Sequence, residues 1–406
     1  MNEKTSHTKI SDISIAYLLQ FDDDSVRLTR AKLDSMPLAQ YVAKHWIGHA
    51  KSGGMDPTVL QLILHLFTSE SAPFKNWIRM HDIDDIIYLK YGYESLMDLK
   101  RVKFCSALYY SSLAGMLEVS DGLLEKGENA NTEGGSLGNA LQAASYGGNE
   151  AIVKLLLEKG AEVNAKGGEY GNALQAASYG SNEAIVKLLL ENSADVNAKG
   201  GEYGNALQAA SYGGNEAIVK LLLEKGVDVN TEGGEYGNAL QAASYGGNEA
   251  IVRLLLEKGV DVNAEGGKYG NALQAASLGG NEAIVKFLLE KGMDVNAKGG
   301  EYGNALQAAS YGRNEEIVKL LLEKGVDVNA EGGEYGNALQ AASYRGNKAI
   351  VRFLLEKGVD VNAEGGEYGN ALQAASYRGN EAIVKLLLEK GVRECQGLTL
   401  GFGGFL

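Results

Sequence analysis

Proline, histidine and cysteine are scarce in this chain and unevenly placed, with 3, 5 and 2 copies in 406 residues. The two cysteines, Cys105 and Cys395, stand far apart in sequence. That excludes a disulfide framework and a Cys-based zinc site, and it predicts a reducing, intracellular setting. No run of 18 or more apolar residues occurs, so no segment reads as a membrane span. The opening MNEKTSHTKISD lacks the apolar centre of a secretory signal. Basic charge is also short, with 38 Lys and Arg against 52 Asp and Glu and a net charge of −14. A nonspecific nucleic-acid binder needs the opposite balance, whereas net charge of either sign keeps a long chain soluble. All five histidines, the three prolines and both tryptophans precede Cys105. About three-quarters of the chain therefore lacks the commonest general base. No window fits the phosphate loop G-x-x-x-x-G-K-[ST], whose glycines expose backbone N–H groups to phosphate. These gaps point away from catalysis, and no cofactor is expected.

What the chain has in abundance is one segment. GNALQAAS occurs eight times, starting at Gly138, Gly171, Gly204, Gly237, Gly270, Gly303, Gly336 and Gly369, always 33 residues apart. An invariant period of this size marks a stacked repeat protein. Within a unit, NALQAAS reads as a short helix of small residues, capped by Asn172, with Leu174 and Ala177 one turn apart on its buried side. Gly147-Gly148 breaks it. A second helix is expected from about Asn149 to Lys159. Asn149 can cap it, and Glu150 suits the positive end of its dipole. Ile152, Val153, Leu156 and Leu157 form its apolar stripe, and Gly160 closes it. The stretch AEVNAKGGEYG suits an extended finger with a tight turn. Neither helix can stand alone in water. Stacked, the units bury a continuous core.

Helix–turn–helix plus a β-turn at this period resembles the ankyrin repeat. The family's T-P-L-H helix start stands here as Asn172-Ala173-Leu174-Gln175, and its small pair as Ala177-Ser178. The second-helix V-x-L-L-L is Val153-Lys154-Leu155-Leu156-Leu157. The closing G-A-D-V-N-A is nearly verbatim at Gly226-Val227-Asp228-Val229-Asn230-Thr231. The departures are Pro to Ala, His to Gln, and a fingertip rewritten as GGEYG. Ala gives up a preset φ but keeps helix propensity. The resemblance implies an all-α repeat solenoid whose helix pairs alternate with β-hairpin fingers, and it covers residues 105–392. Residues 138–392 hold the eight near-identical repeats. Residues 105–137 form a degenerate copy, with Ser106-Ala107-Leu108 and Gly115 in register, which suits an N-terminal capping repeat. Residues 393–406 form an irregular tail carrying Leu398, Leu400, Phe402, Phe405 and Leu406. Either this tail folds back over the last repeat, or the array is cut short there. An uncapped last helix would expose an apolar face and favour self-association through that end.

Residues 1–104 read as a small helical module, with apolar spacing in Leu38–Ile47 and Val59–Phe67 and breaks near Ser52–Gly54 and Ser69–Pro73. The run PLAQYVAKHWIGHAK, a following Trp segment and Asp82-Ile83-Asp84-Asp85 resemble the stretch ahead of the array in fungal NACHT–ankyrin proteins. Those are signal-transducing NTPases of the innate-immunity and incompatibility type. The resemblance implies a sensor arm, with the NTPase engine outside this chain and residues 1–104 as a connecting or capping module. His45 and His49 lie at i, i+4 and could pair on a metal, but an ordinary packed or surface helix is the simpler account. Asp22-Asp23-Asp24 reads as a solvated loop or cap before it reads as a cation site. The Glu-Lys pairs such as Glu158-Lys159 read as solvent-face charges. The fingertip glutamates Glu169, Glu202 and Glu235 read as solvated turn residues.

A protein partner is expected on the concave face, where fingertips and first helices meet. Two tyrosine series run there. One follows the first helix: Tyr146, Tyr179, Tyr212, Tyr245, Tyr311, Tyr344 and Tyr377, with Leu278 interrupting. The other occupies the fingertip: Tyr170, Tyr203, Tyr236, Tyr269, Tyr302, Tyr335 and Tyr368. Tyrosine offers a large, stiff contact with a polar end. The series form either an exposed groove or ladders that stack between repeats and serve packing. The repeats also differ from one another in informative places. Arg313, Arg345, Arg378, Lys268 and Lys348 all add positive charge in the last five repeats. Arg345 and Arg378 occupy equivalent positions, about 8–10 Å apart at ordinary helix spacing. They suit a basic stripe facing an acidic segment of the partner, or neutral drift on a tolerant surface. Two rival functions remain: a general architectural scaffold, and an enzyme with its site in residues 1–104.

Repeat two differs in backbone chemistry. Ser181 and Ser193 replace the inter-helix and helix-closing glycines. If both sites need φ > 0, each substitution costs about 1 kcal/mol. Residues 180–195 should then be locally the least stable part of the array. Amide exchange should be faster there than at the matching residues of repeat three, and slower exchange would refute the reading.

Overall fold

The computed structural model describes residues 3–22, 36–68, 71–81, 83 and 105–391. The tail from residue 392 onward, Asp23-Asp24, Asp82 and Asp84-Asp85 lie outside the described residues. The chain divides into two compact bodies, Met1–Val227 and Asp228–Leu406. Among the described residues there are 22 helices, and strand-like pairing is confined to isolated bridges. No helix of the described residues is long and apolar enough to cross a membrane.

The first body opens with α1 (Glu3–Leu18), α2 (Ala39–Gly53), α3 (Pro57–Leu66) and α4 (Ala72–Met80). Local chemistry sets the starts. Asp56 accepts from the Thr58 and Val59 N–H groups with Pro57 in the first turn, and Ser71 caps α4 through Phe74 N–H. Trp46, Phe67, Phe74 and Trp77 pack ring against ring at 5.3–6.0 Å. The Trp77 indole N–H, fully buried, donates to Ala43 O at 3.1 Å. This aromatic core continues into the degenerate repeat, α5 (Ala107–Ala114) and α6 (Leu117–Glu125). Tyr110 of α5 meets Phe74 at 5.8 Å and Trp77 at 6.1 Å, and Lys51 Nζ donates to Ala114 O.

Three repeats follow in this body: α7 (Ala140–Tyr146) with α8 (Glu150–Glu158), α9 (Ala173–Tyr179) with α10 (Glu183–Glu191), and α11 (Ala206–Gly213) with α12 (Glu216–Glu224). The second body holds five more. They are α13 (Ala239–Gly246) and α14 (Glu249–Glu257), α15 (Ala272–Gly279) and α16 (Glu282–Glu290), α17 (Ala305–Gly312) and α18 (Glu315–Glu323), α19 (Ala338–Arg345) and α20 (Lys348–Glu356), and α21 (Ala371–Tyr377) and α22 (Glu381–Glu389). Each first helix starts where an Asn accepts from the Gln N–H three residues on, as Asn172 does from Gln175 at 2.9 Å. Alanines fill the interface between first helices, and Ala176 and Ala177 are fully buried. Each second helix buries one stripe, as with Ile185, Val186 and Leu189 in α10. The exposed charges on these helices pair at i, i+4, as Glu150 with Lys154 at 2.5 Å, and such pairs contribute little.

In most repeats two side chains make a tie to a neighbour. The buried Gln sends its Nε2 into the next finger: Gln175 reaches Gly200 O and Gly204 O at 3.1 Å each, and Gln307 reaches Ala330 O at 3.0 Å and Gly336 O at 2.9 Å. The second tie corrects the expected cap. Asn149 does not cap α8; its Nδ2 donates backwards to Ser112 O at 2.8 Å and Leu113 O at 3.3 Å in the preceding repeat. Asn182, Asn281, Asn314 and Asn380 make the same bridge. Those carbonyls lie at the end of the preceding first helix, beyond the reach of its regular i+4 donors. The bridge satisfies them.

The fingertip also departs from expectation. Its turn closes on a single bridge, Gly167 with Gly171 and likewise in four later fingers. Gly201 has φ +66° there, and a Cβ would lie 2.3 Å from Tyr170 C, so only glycine fits. The glutamates are rungs of a backbone ladder rather than plain solvated residues. In the first body Glu202 N–H donates to Glu169 O at 2.8 Å. In the second, Lys268, Glu301, Glu334 and Glu367 each donate to the same position one repeat earlier at 2.7 Å. The ladder lines up their side chains. Lys268 sits between Glu235 and Glu301, 3.4 Å from each. Two repeats after Lys268, Glu334 lies between two carboxylates. Burial, then hydrogen bonds with Glu367 and Glu301, push its carboxyl up to about 7 from an ordinary 4.5. The native protein thus keeps a proton that the unfolded chain releases between those values. Stability should fall as pH rises through that window. A urea midpoint measured from pH 5 to pH 8 should decline in the wild type and decline less in E334Q. Parallel curves for the two proteins would dismiss the shared proton.

Candidate partner-binding face

Within each body the two tyrosine series meet in a layer of rings, because a fingertip reaches the ends of the neighbouring first helices. In the first body Tyr170 stacks on Tyr203 at 5.5 Å and 1°, and Tyr146 on Tyr179 at 6.2 Å and 13°. The series also interlock, with Tyr170–Tyr179 at 4.9 Å and Tyr179–Tyr203 at 5.0 Å. In the second body Tyr302 stacks on Tyr335, Tyr311 on Tyr344, and Tyr335 meets Tyr344 at 5.3 Å. Such offset contacts suit the ring quadrupoles.

Burial separates the series. The fingertip rings of Tyr170, Tyr203, Tyr236, Tyr269, Tyr302 and Tyr335 are no more than 7% exposed, and Tyr368 is half-buried. Burial first, then neighbouring phenols, raises the pKa of Tyr170 and Tyr203. These rings are a packing layer, which corrects the expectation that both series offer contact area. The helix series Tyr146, Tyr179, Tyr212, Tyr245, Tyr311 and Tyr344 is half-buried, and Tyr377 is 68% exposed. Leu278, also half-buried, does not break the layer, since Tyr269 stacks directly on Tyr302 at 6.2 Å and 4°.

The basic residues do not share one stripe. Lys268 belongs to the fingertip ladder and is held by two carboxylates. The other four gather at the inter-helix turns of the last three repeats. Arg345 lies with Cζ 4.7 Å from the Tyr311 ring and its Nε donates to Tyr311 O at 3.1 Å. Arg378 lies 5.0 Å over Tyr344 and is exposed; its backbone N–H donates to Ser376 O, while its guanidinium donates no hydrogen bond among the described residues. Lys348 starts α20, where a cation opposes the helix dipole. Arg313 has φ +65°, in the left-handed region with Ser181 at +59° and Ser193 at +66°. Charge alone hid this feature of Arg313. Its alignment with Gly148 was the available signal.

In the N-terminal module His45 and His49 have different neighbours. His45 packs on Tyr41 at 4.8 Å, while His49 Nδ1 lies 2.8 Å from His7 Nδ1 and its Nε2 3.2 Å from Tyr41 Oη. Burial, then His7 and His45, lowers the His49 pKa. Among the described residues no group of three or more His, Cys, Asp or Glu is placed to hold a metal ion. An open groove of about 700 Å³ on this module is lined by Lys4, Thr8, Asp12 and Asp56 and contains no histidine.

Known proteins share the repeat pattern. The azaphilone pigments biosynthesis cluster protein L of Monascus ruber is 34% identical over 159 residues, which is 37% of this chain and 33% of that protein. The chain thus spans about a third of that relative's length. Among solved structures, the human ASB11 ankyrin repeat domain has a TM-score of 0.45 at 25% identity, covering 53% of this chain and 97% of that one. The family model described as ankyrin repeats (3 copies) matches residues 141–233, 173–266, 207–299, 240–332 and 305–397. These matches run over more than half of the sequence, and the chain belongs to the ankyrin-repeat family.

Proposed function

We propose that this chain is a non-catalytic protein-recognition module that binds an acidic segment across the inter-helix turns of its last three repeats. The observation that carries the reading is Arg378. Its guanidinium is exposed, stacked on Tyr344 and without a hydrogen-bond partner among the described residues, beside the exposed Tyr377. Arg313 and Lys348 are exposed on the same turns. A stacked guanidinium is already oriented, so it loses little freedom on pairing with a carboxylate. Ankyrin repeats generally mediate contacts between proteins, and the tyrosine layer gives this face the stiffness such a contact needs. The resemblance of residues 1–104 to NACHT–ankyrin proteins supports a role as the sensor arm of a signal-transducing NTPase, although the family-model matches begin at residue 141.

Full-length protein and an R378E variant, each used to capture partners from a lysate and then titrated against the purified partner, test the reading. R378E should weaken binding at least roughly two- to fivefold, as for a lost surface ion pair, and should flatten its salt dependence. Unchanged affinity and salt dependence would show that the arginine is not part of the interface.

A further inference from the structure

The glycine between the two helices of a repeat controls a side chain in the next one. A Cβ placed on Gly115, Gly148, Gly247, Gly280 or Gly346 would lie 2.4–2.8 Å from the Oδ1 of Asn149, Asn182, Asn281, Asn314 or Asn380, respectively. All five of these asparagines bridge back to the preceding first helix. Two repeats carry a side chain at the glycine position, Ser181 and Arg313. The asparagines one repeat later, Asn215 and Asn347, have left the bridge. Asn215 Oδ1 caps its own helix at Ile218 N–H, and Asn347 Oδ1 caps at Ala349 and Ile350 N–H. Their ψ is 92°, against 65–80° in the five that bridge. One Cβ therefore exchanges the bridge to the first-helix carbonyls for a cap within the repeat, leaving each asparagine amide a 3.4 Å contact to the preceding repeat.

The two junctions differ in how the carbonyls left by the asparagine are met. By the register of the other repeats, Asn347 would have reached Ser310 O and Tyr311 O. Tyr311 O instead receives Arg345 Nε at 3.1 Å, with the guanidinium lying on the Tyr311 ring. At the Ser181 junction the position matching Arg345 is Gly213, and Asn215 Nδ2 retains only a 3.4 Å contact to Ser181 O. Arg378, at the same position one repeat after Arg345, faces a junction whose asparagine, Asn380, still bridges to Ser343 O and Tyr344 O.

We infer that Arg345 is a clasp that replaces the bridge displaced by Arg313, and that the Ser181 junction, with no clasp, is a built-in joint where the first body opens most readily. Arg345 then serves the array, while Arg378 remains for a partner. Local opening of this kind is how a repeat stack yields without unfolding.

Amide exchange and side-chain amide NMR on the full chain test both halves. R345A should speed exchange in α19 and α20 by about fivefold or more, the factor that corresponds to a lost bond of about 1 kcal/mol. In an R313G background the same change should have less than about half that effect, because Asn347 can bridge again. The Asn347 side-chain amide in R313G should move towards the signals of Asn314 and Asn380. An equal effect of R345A in both backgrounds, or an Asn347 amide unmoved by R313G, overturns the clasp. For the joint, a Cβ built on Gly213 lies 3.0 Å from Tyr179 O, against 2.4 Å from Tyr245 O at Gly279, so this site is less crowded than the one at Gly279. G213R should slow exchange in α11 and α12, and do so less in an S181G background. No slowing in either background overturns the joint.

Discussion

The array depends on each repeat handing buried hydrogen-bond donors to its neighbour. First helices of 7 or 8 residues and second helices of 9 are too short to persist alone. Stacking them hides fingertip carbonyls and the carbonyl ends of first helices, and buried carbonyls without donors are costly. The glutamine amide meets the first need, reaching forward into the next finger, and the asparagine amide meets the second, reaching back. Both are side chains on rigid helix starts, so they also set register. Apolar burial supplies most of the attraction between repeats, but Ala and Leu surfaces alone would tolerate sliding, and these amides do not.

A strict period has a second consequence. It places identical side chains in columns, and the column helps or harms according to chemistry. Tyrosine gains from lying beside tyrosine, so the fingertip and helix series close into a packed layer. Glutamate beside glutamate repels, and the ladder at the fingertip leaves Glu334 holding a proton between Glu301 and Glu367. Lys268 relieves the same column two repeats earlier. The departures from identity are therefore not all surface drift. At least this one falls where the repeated residue conflicts with its own copies.

The helices, their starting asparagines and the stacked-repeat architecture were legible in the sequence, because each follows from residues a few positions apart. What escaped were features set one repeat away. Asn149 has the chemistry of a cap, and whether it caps depends on the Cβ at residue 115, which no local pattern reveals. Glu169 looks like any turn residue until the finger of the next repeat is laid against it. Tyr170 occupies a fingertip, an exposed place in general, yet the helix tyrosines on either side roof it. The period announces that neighbours exist; it does not say which atoms they bring.

Arg345 and Arg378 show how far this matters for function. They are the same residue at the same position of successive repeats, and the sequence offers no reason to separate them. One difference in their surroundings bears directly on the bond: Arg313 stands where the next repeat has Gly346. That side chain displaces Asn347, and Arg345 turns inward onto the exposed carbonyl. Beyond Gly346 the asparagine bridge is intact, so the carbonyls of Ser343 and Tyr344 already have their donor and Arg378 is left pointing outward. A substitution that mends a neighbouring defect and one that serves a partner can thus look identical in an alignment of the repeats. The bond each makes in the stack distinguishes them, and by that criterion the proposed recognition function rests on Arg378.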